Sequence, residues 1–236
     1  MNAPDSRAHT SSATVACAVL YWIPLGAGGH SVRFNGVVYE TISAIVQRRP
    51  RSDIYHCALK VRTPSGAYAV EMTPVPNNRG WTRGVVAEGA VGARWAGQLR
   101  RFRYEIRCWR DGTIPDLQYA IGGPIRVTDD ALAAQRILEV LPSVPTLTWG
   151  RDESRVGDMW SCNSIVSWAL TRAGLNVEHI PMPYRGRAPG WHAGIAVAQN
   201  TRETSRQADG SSALRDVVHD EPRVASDHRI PSGRTW

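Results

Sequence analysis

Residues 161–170 read Ser161-Cys162-Asn163-Ser164-Ile165-Val166-Ser167-Trp168-Ala169-Leu170. Apolar residues recur in and just after this stretch at the spacing of one helical face, namely Ile165, Val166, Ala169, Leu170 and Ala173. The pattern predicts a helix from Cys162 to Ala173 that ends at Gly174 and packs its apolar face on a sheet. Cys162 would lie in the first turn of this helix, on the same inward face.

A cysteine in the first turn of a helix can act as a nucleophile. Unpaired backbone amides and the helix dipole favour a thiolate there, so we expect a lowered pKa and the highest reactivity at Cys162. The same amides can hold an oxyanion. The alternative is a buried structural thiol, because free cysteines are among the most buried residues. The position of Cys162 alone does not separate these two interpretations.

The cysteines stand far apart, at positions 17, 57, 108 and 162. No pair has the close spacing of a zinc or redox site, and no phosphate-binding loop or dinucleotide-binding glycine pattern is present. We therefore predict free thiols in a reducing, cytoplasmic compartment, with no cofactor and no metal.

Two apolar stretches, 53–62 and 68–75, predict paired strands joined by a Thr-Pro-Ser-Gly turn. They carry His56 and Glu71. If the connecting loop has an even number of residues, both side chains lie on the same side of the hairpin, whereas an odd loop separates them. A carboxylate in an apolar strand needs a partner to be buried, which favours a functional role for Glu71.

A nucleophilic thiol needs a histidine within hydrogen-bond reach and a third polar group that orients the histidine. Three histidines compete for this role. His192 lies in the strand-like stretch 190–197, and His30 opens a predicted Asn-Gly hairpin over 30–40. We favour His56, because it combines a rigid strand with a candidate partner.

The order of these motifs resembles the circularly permuted branch of the NlpC-type papain-like superfamily. That branch includes lecithin:retinol acyltransferase-like proteins and papain-like isopeptidases. The resemblance is carried by His-x-Ala-Leu-x-Val at 56–61, by the apolar strand that reaches Glu71, and by Cys162 at a helix start. It implies that Cys162 is the nucleophile, His56 the general base and Glu71 the orienting group.

We predict an α+β domain over residues 13–198, with residues 1–12 and 199–236 disordered. In it, an antiparallel sheet packs against helices at 128–141 and 162–173, in a permuted papain-like arrangement. Other predicted strands cover 14–23, 80–86 and 99–109, and a short helix covers 41–49. The span 87–97 is rich in small residues and shows no clear period.

The function expected from these residues is that of a cysteine-dependent hydrolase or acyltransferase that cleaves an amide or ester bond. Its substrate would be a peptide, a peptidoglycan fragment or an acyl lipid. The alternative is a non-catalytic binding module on the same fold, which recognises an acidic ligand or a protein partner. Trp149 and Trp160 flank the loop before Cys162 and would either line a groove or pack in the core.

The net charge of +7 does not by itself indicate a nucleic-acid partner. Lys60 is the single lysine among 28 basic residues, and the arginines are scattered. The densest run, 99–110, alternates arginines with apolar residues, which predicts a strand with one solvated face. The apolar stretch 15–25 is half the length of a spanning helix, so we expect no integral membrane segment and keep an atypical signal peptide as an alternative.

The composition of the last 37 residues predicts that they are dispensable for folding. Few large apolar residues occur there, so burial cannot repay an ordering cost of ~1–2 kcal/mol per residue. We expect removal of residues 200–236 to leave the thermal unfolding midpoint within a few degrees, measured by circular dichroism. A large drop would show that an apolar residue of this segment docks on the domain.

Overall fold

A computed structural model describes residues 16–27, 48, 50–75 and 84–201. Within these residues one sheet is built in the order β4-β5-β3-β2-β1-β6, and all its neighbouring pairs are antiparallel. A further short strand, β7, pairs in parallel with β2. The strands are β1 (Cys17–Pro24), β2 (Asp53–Thr63), β3 (Gly66–Pro74), β4 (Val85–Ala90), β5 (Arg103–Arg110), β6 (Ile121–Thr128) and β7 (Gly186–Arg187).

Among the residues that the structure describes, three α-helices pack on one face of this sheet. They are α1 (Ala131–Val140), α2 (Cys162–Arg172) and α3, which covers residues 191–201. Their apolar residues share one core with alternate residues of the strands, including Leu20, Leu59, Ile106, Ile137, Ile165 and Ile195. The opposite face carries a smaller cluster of Ile23, Ala58, Ala69 and Ile114. The predicted α+β class, with an antiparallel sheet against two main helices, is confirmed, and α3 adds a third.

The two predicted helices begin and end close to the expected residues. Asp130 caps α1, because its carboxylate accepts a hydrogen bond from the Leu132 N–H at 2.8 Å, so this helix begins three residues after the predicted start at 128. Ser161 caps α2 and forms a reciprocal capping box with Ser164. The first turn of α2 is therefore fixed by side chains on either side of Cys162.

The prediction of a strand at 190–197 is wrong, because residues 191–197 belong to the helix α3. The reason is a close crossing between α2 and α3. Hydroxyl groups of Ser164 and Ser167 donate to the carbonyls of Gly190 and Trp191, both at 2.7 Å. Gly194 lies directly against the Ser164 carbonyl, so the helices approach at a residue that has no side chain.

The β-rich part of the chain also differs from the prediction in two places. Residues 85–90, most of which lie in the stretch without a clear period, form β4. The run 99–110 begins with one short 3₁₀ turn, Arg100–Phe102, before β5 begins at Arg103. β6 was not predicted, because its Gly122, Gly123 and Pro124 suppress the alternating pattern of a strand.

The chain divides into two units, residues 1–199 and 200–236. The predicted Asn-Gly hairpin with His30 and nearly all of the predicted helix at 41–49 lie outside the described residues, as do residues 1–12 and 202–236. Disorder at the two ends therefore stays a prediction. Because α3 continues to residue 201, a truncation that preserves this helix begins at residue 202.

Across the described ranges, no helix combines the length and the apolar character needed to cross a bilayer.

The helix crossing predicts an unusual response to a mutation. Replacing glycine by alanine inside a helix ordinarily stabilises a protein by up to about 1 kcal/mol. At Gly194 the added methyl group would overlap the Ser164 carbonyl oxygen and the Ser167 hydroxyl. We therefore expect Gly194→Ala to reduce the free energy of unfolding by about 2 kcal/mol or more in urea denaturation. His192→Ala, an exposed position of the same helix, is the control and should be nearly neutral; a stabilising Gly194→Ala would contradict the crossing.

Candidate active site

The hydrogen-bonded ladder between β2 and β3 ends before either strand does. It begins at the pair Thr63–Gly66, next to a two-residue turn, and stops at the pair Leu59–Val70. β2 starts at Asp53, and β3 stays paired with β5 as far as Pro74. The unpaired parts of β2 and β3 therefore enclose a wedge, which we call the β2–β3 wedge.

The amino terminus of α2 fills the side of this wedge that faces the helices. The Leu25 N–H donates to the Ile54 carbonyl, which shows that Ile54 directs its backbone groups at β1. Because successive residues of a strand face alternate neighbours, even-numbered residues of β2 bond to β1 and odd-numbered residues face β3. Beyond the ladder, the Tyr55 carbonyl accepts a hydrogen bond from Asn163 Nδ2 at 3.0 Å. The Cys57 N–H is directed at the sulfur of Cys162. Groups of α2 thus replace two missing contacts to β3.

Burial determines the ionisation of the Cys162 thiol. The residue is 9% exposed. Burial raises the pKa of Cys162 to about 11. Four hydrogen bonds act in the opposite direction and lower this pKa; they come from the backbone of Asn163, from the N–H of Cys162 itself, from the Ser161 hydroxyl and from the Cys57 N–H. The predicted lowering of this pKa is therefore wrong, because desolvation outweighs the donors at the helix start. The thiol is protonated at neutral pH and needs a base.

A cavity of about 280 Å³ occupies the β2–β3 wedge. Its lining brings together all three residues proposed from the sequence, His56, Glu71 and Cys162. The other described lining residues come from five parts of the chain: Leu25, Gly26, Cys57, Ala58, Met72, Thr73, Pro74, Ile114, Pro115, Asp116 and Trp149.

The candidate residues reach the cavity from two sides of the sheet. The turn between β2 and β3 has two residues, so the even-loop condition holds and alternation places His56 and Glu71 on the same face. That face carries Ala58 and Ile114. Cys162 belongs to the helix-side core, together with Cys57. Because β2 and β3 are not paired in the wedge, side chains from both faces of the sheet line this cavity.

Asp116 is a carboxylate of the site that sequence analysis missed. Burial lowers the pKa of His56, and the negative charge of Asp116 acts in the opposite direction. Since burial is the larger effect, the His56 imidazole is neutral at pH 7 and can accept a proton. Asp116 lies in the short turn Pro115–Tyr119, where no periodic pattern marks it.

Glu71 is engaged by a buried arginine. Its carboxylate accepts a hydrogen bond from Arg107 Nη1 at 3.2 Å, and the same guanidinium binds Glu105. Arg107 is only 3% exposed, so the predicted solvated face of the run 99–110 is wrong at this position. The reason is that two carboxylates, one from β3 and one from β5, compensate the buried guanidinium.

The remaining sequence candidates lie elsewhere. His192 is exposed at the start of α3, where its N–H donates to Asp158, and it lines a different cavity. His30 lies outside the described residues. Of the two tryptophans, Trp160 is buried in the core, whereas Trp149 lines the wedge cavity and contacts the Tyr104 ring edge-on.

A comparison with protein-family models, curated proteins and solved structures finds no match to this chain. A buried thiol, a neutral imidazole and two carboxylates line one cavity, and backbone N–H groups are directed at the sulfur.

The raised pKa of Cys162 predicts how its alkylation depends on pH. The thiolate reacts with iodoacetamide, so the rate should rise about tenfold per pH unit between pH 7 and pH 10, without a plateau in this range. The measurement is quenched labelling followed by peptide mass mapping, with folding checked by circular dichroism at each pH. In urea the same peptide should reach its plateau at a lower pH, because burial is lost. A plateau at or below pH 8 in the folded protein would contradict the assignment.

Proposed function

We propose that this protein is a cysteine-dependent acyl-transfer enzyme, a hydrolase or acyltransferase that cleaves an amide or ester bond. The observation that carries the proposal is the shared cavity of Cys162 and His56 at the start of α2. The chain order of His56, Glu71 and Cys162 supports a permuted papain-like arrangement of the NlpC type. The packing of α2 on the sheet is consistent with that arrangement.

The first chemical step is a proton transfer coupled to attack. The neutral imidazole of His56 takes the proton of the Cys162 thiol while the sulfur bonds to the carbonyl carbon of the substrate. The carbonyl π electrons move to oxygen, and the resulting oxyanion accepts hydrogen bonds from the N–H groups of Cys162 and Cys57. Both of these N–H groups are directed at the sulfur in the free protein.

The second half of the reaction releases the acyl group. The oxyanion collapses, the carbon–nitrogen or carbon–oxygen bond breaks, and the His56 imidazolium protonates the leaving amine or alcohol. A thioester on Cys162 remains. Water gives hydrolysis, and an acceptor amine or alcohol gives acyl transfer, with His56 again acting as the base.

A carboxylate near His56 stabilises the charged form of the imidazole. Asp116 acts on the charge of His56. Glu71 shares its face of the sheet but also binds Arg107, which reduces its influence on the imidazole. We therefore assign the main orienting role to Asp116 and a smaller one to Glu71.

The cavity limits the part of the substrate that enters it. A volume of about 280 Å³ lies at the small end for ligand sites, and Met72, Ile114 and Trp149 make much of the lining apolar. This favours a short acyl chain or one apolar side chain next to the reacting carbonyl. The rest of a peptide, peptidoglycan fragment or acyl lipid would remain outside the cavity.

A second candidate function is a non-catalytic binding module on the same fold. The burial of Cys162 and its raised pKa favour this alternative, because a structural thiol has the same properties. The two functions differ in one measurable property, which is the formation of a covalent thioester.

The test is acyl transfer from p-nitrophenyl esters of two to eight carbons. We expect release of p-nitrophenol and, after acid quench, an acyl mass increment on the peptide that contains Cys162. Cys162→Ala should abolish the increment, and His56→Ala should reduce the rate about 10²-fold or more. The rate should fall as the pH drops below the lowered pKa of His56, because the imidazole is then protonated.

Matched variants distinguish the roles of the neighbouring groups. Asp116→Asn should reduce the rate more than Glu71→Gln, and His192→Ala should leave it unchanged. Absence of an increment on Cys162 with every ester, in protein shown to be folded, would favour the binding module. Loss of activity in His192→Ala alone would show that the base is wrongly assigned.

A further inference from the structure

A second, larger cavity lies on the face of the sheet that is opposite the helices. Its volume is about 530 Å³. Its described lining residues are Cys17, Val19, Tyr21, Lys60, Val61, Arg62, Ala67, Tyr68, Asp111, Gly112, Pro124 and Arg126. None of them lines the wedge cavity next to Cys162. The two cavities are therefore separate sites.

Strand register brings three cationic residues together around this cavity. Val19 of β1 pairs with Lys60 on one side and with Arg126 of β6 on the other. Arg62 pairs with Cys17, two residues further along. Directly opposed residues point to the same face, so all three cationic side chains are on one face of the sheet. Strand spacing places Lys60 and Arg126 about 10 Å apart and Lys60 and Arg62 about 7 Å apart at their Cα atoms.

The floor between these cations consists of short side chains. Cys17 and Val19 of β1 lie between the basic residues, and Ala67 is paired with Arg62 on the other side. Lysine and arginine side chains extend well beyond such residues. The charges of Lys60 and Arg62 can therefore reach above the floor, where the cavity lies, and Arg126 borders the same cavity.

Two of the three cations have no acidic partner among the described residues. Arg126 forms an exposed ion pair with Asp129. Asp111 is the single carboxylate of the described lining. It lies 3.8 Å from Arg110, an arginine that does not line the cavity, and forms an ion pair with it. No ion pair within the described ranges joins Lys60 or Arg62 to a carboxylate.

We propose that this cavity is a binding site for a small organic phosphate. A phosphate monoester carries up to two negative charges on three peripheral oxygens, which suits the Lys60 ammonium and the Arg62 guanidinium, with Arg126 at the border of the same cavity. The cavity exceeds the size of a phosphate group, so it also accommodates an organic part. Tyr21 flanks the cavity beside Val19 and provides an aromatic face and a hydroxyl for that part.

The test measures binding of AMP by isothermal titration calorimetry, with adenosine as the matched ligand that lacks the phosphate. We expect sub-millimolar binding of AMP and at least tenfold weaker binding of adenosine. Raising the salt concentration should weaken AMP binding, because the contacts are charged. Equal binding of the two ligands, or no binding of AMP, would overturn the proposal.

Variants locate the site. Lys60→Gln and Arg62→Gln should each weaken AMP binding at least fivefold, and the exposed Arg101→Gln, which removes the same charge elsewhere, should not change it. Bound AMP should also slow the alkylation of Cys17 by N-ethylmaleimide, since this thiol lines the cavity. An equal effect of Arg101→Gln would show that net charge alone attracts the ligand. None of these measurements requires an active Cys162, so they fail or succeed independently of the proposed acyl transfer.

Discussion

The backbone of β2 needs hydrogen-bond partners after β3 has left it, and the start of α2 provides them. A buried strand edge with unpaired carbonyl and N–H groups costs about 1–3 kcal/mol per group. Asn163 satisfies the Tyr55 carbonyl, and the Cys57 N–H is directed at Cys162. β7 completes the same edge by pairing with Asp53 and Ile54. The position of the candidate nucleophile is thus determined by the hydrogen-bonding requirement of a strand.

The other side of α2 is held as firmly by α3 and by the turn before it. Asn163 also donates to the Pro189 carbonyl, so its carboxamide joins β2 to that turn. Asp158 accepts hydrogen bonds from the Gly190 and His192 N–H groups at the start of α3. A negative side chain at this end of a helix is also favoured by the helix dipole. The loop before Cys162 therefore stabilises the start of α3.

Features that depend on local patterns could be predicted from the sequence, and features that depend on long-range contacts could not. Alternation predicted that His56 and Glu71 share a face if their loop has an even number of residues, and the structure supplies the two-residue turn that meets this condition. By contrast, the burial of Arg107 depends on carboxylates from two strands, and α3 depends on a crossing with α2 at Gly194. The presence of Asp116 in the cavity was missed because short turns carry no periodic pattern. The pKa of Cys162 was predicted in the wrong direction because burial is a tertiary property.

The contacts of Asn163 have a consequence for the order in which the molecule folds. The hydrogen bonds between the start of α2 and the segment 189–191 join residues that are 24 to 28 positions apart in the sequence. The bond from Asn163 to Tyr55 joins residues that are 108 positions apart. Contacts between residues close in sequence form faster, because less chain entropy is lost when the loop closes. The helical pair is therefore expected to assemble early and to dock on β2 late. Until it docks, the Cys162 thiol lies apart from His56, so the shared cavity does not exist in a nascent or partly unfolded chain.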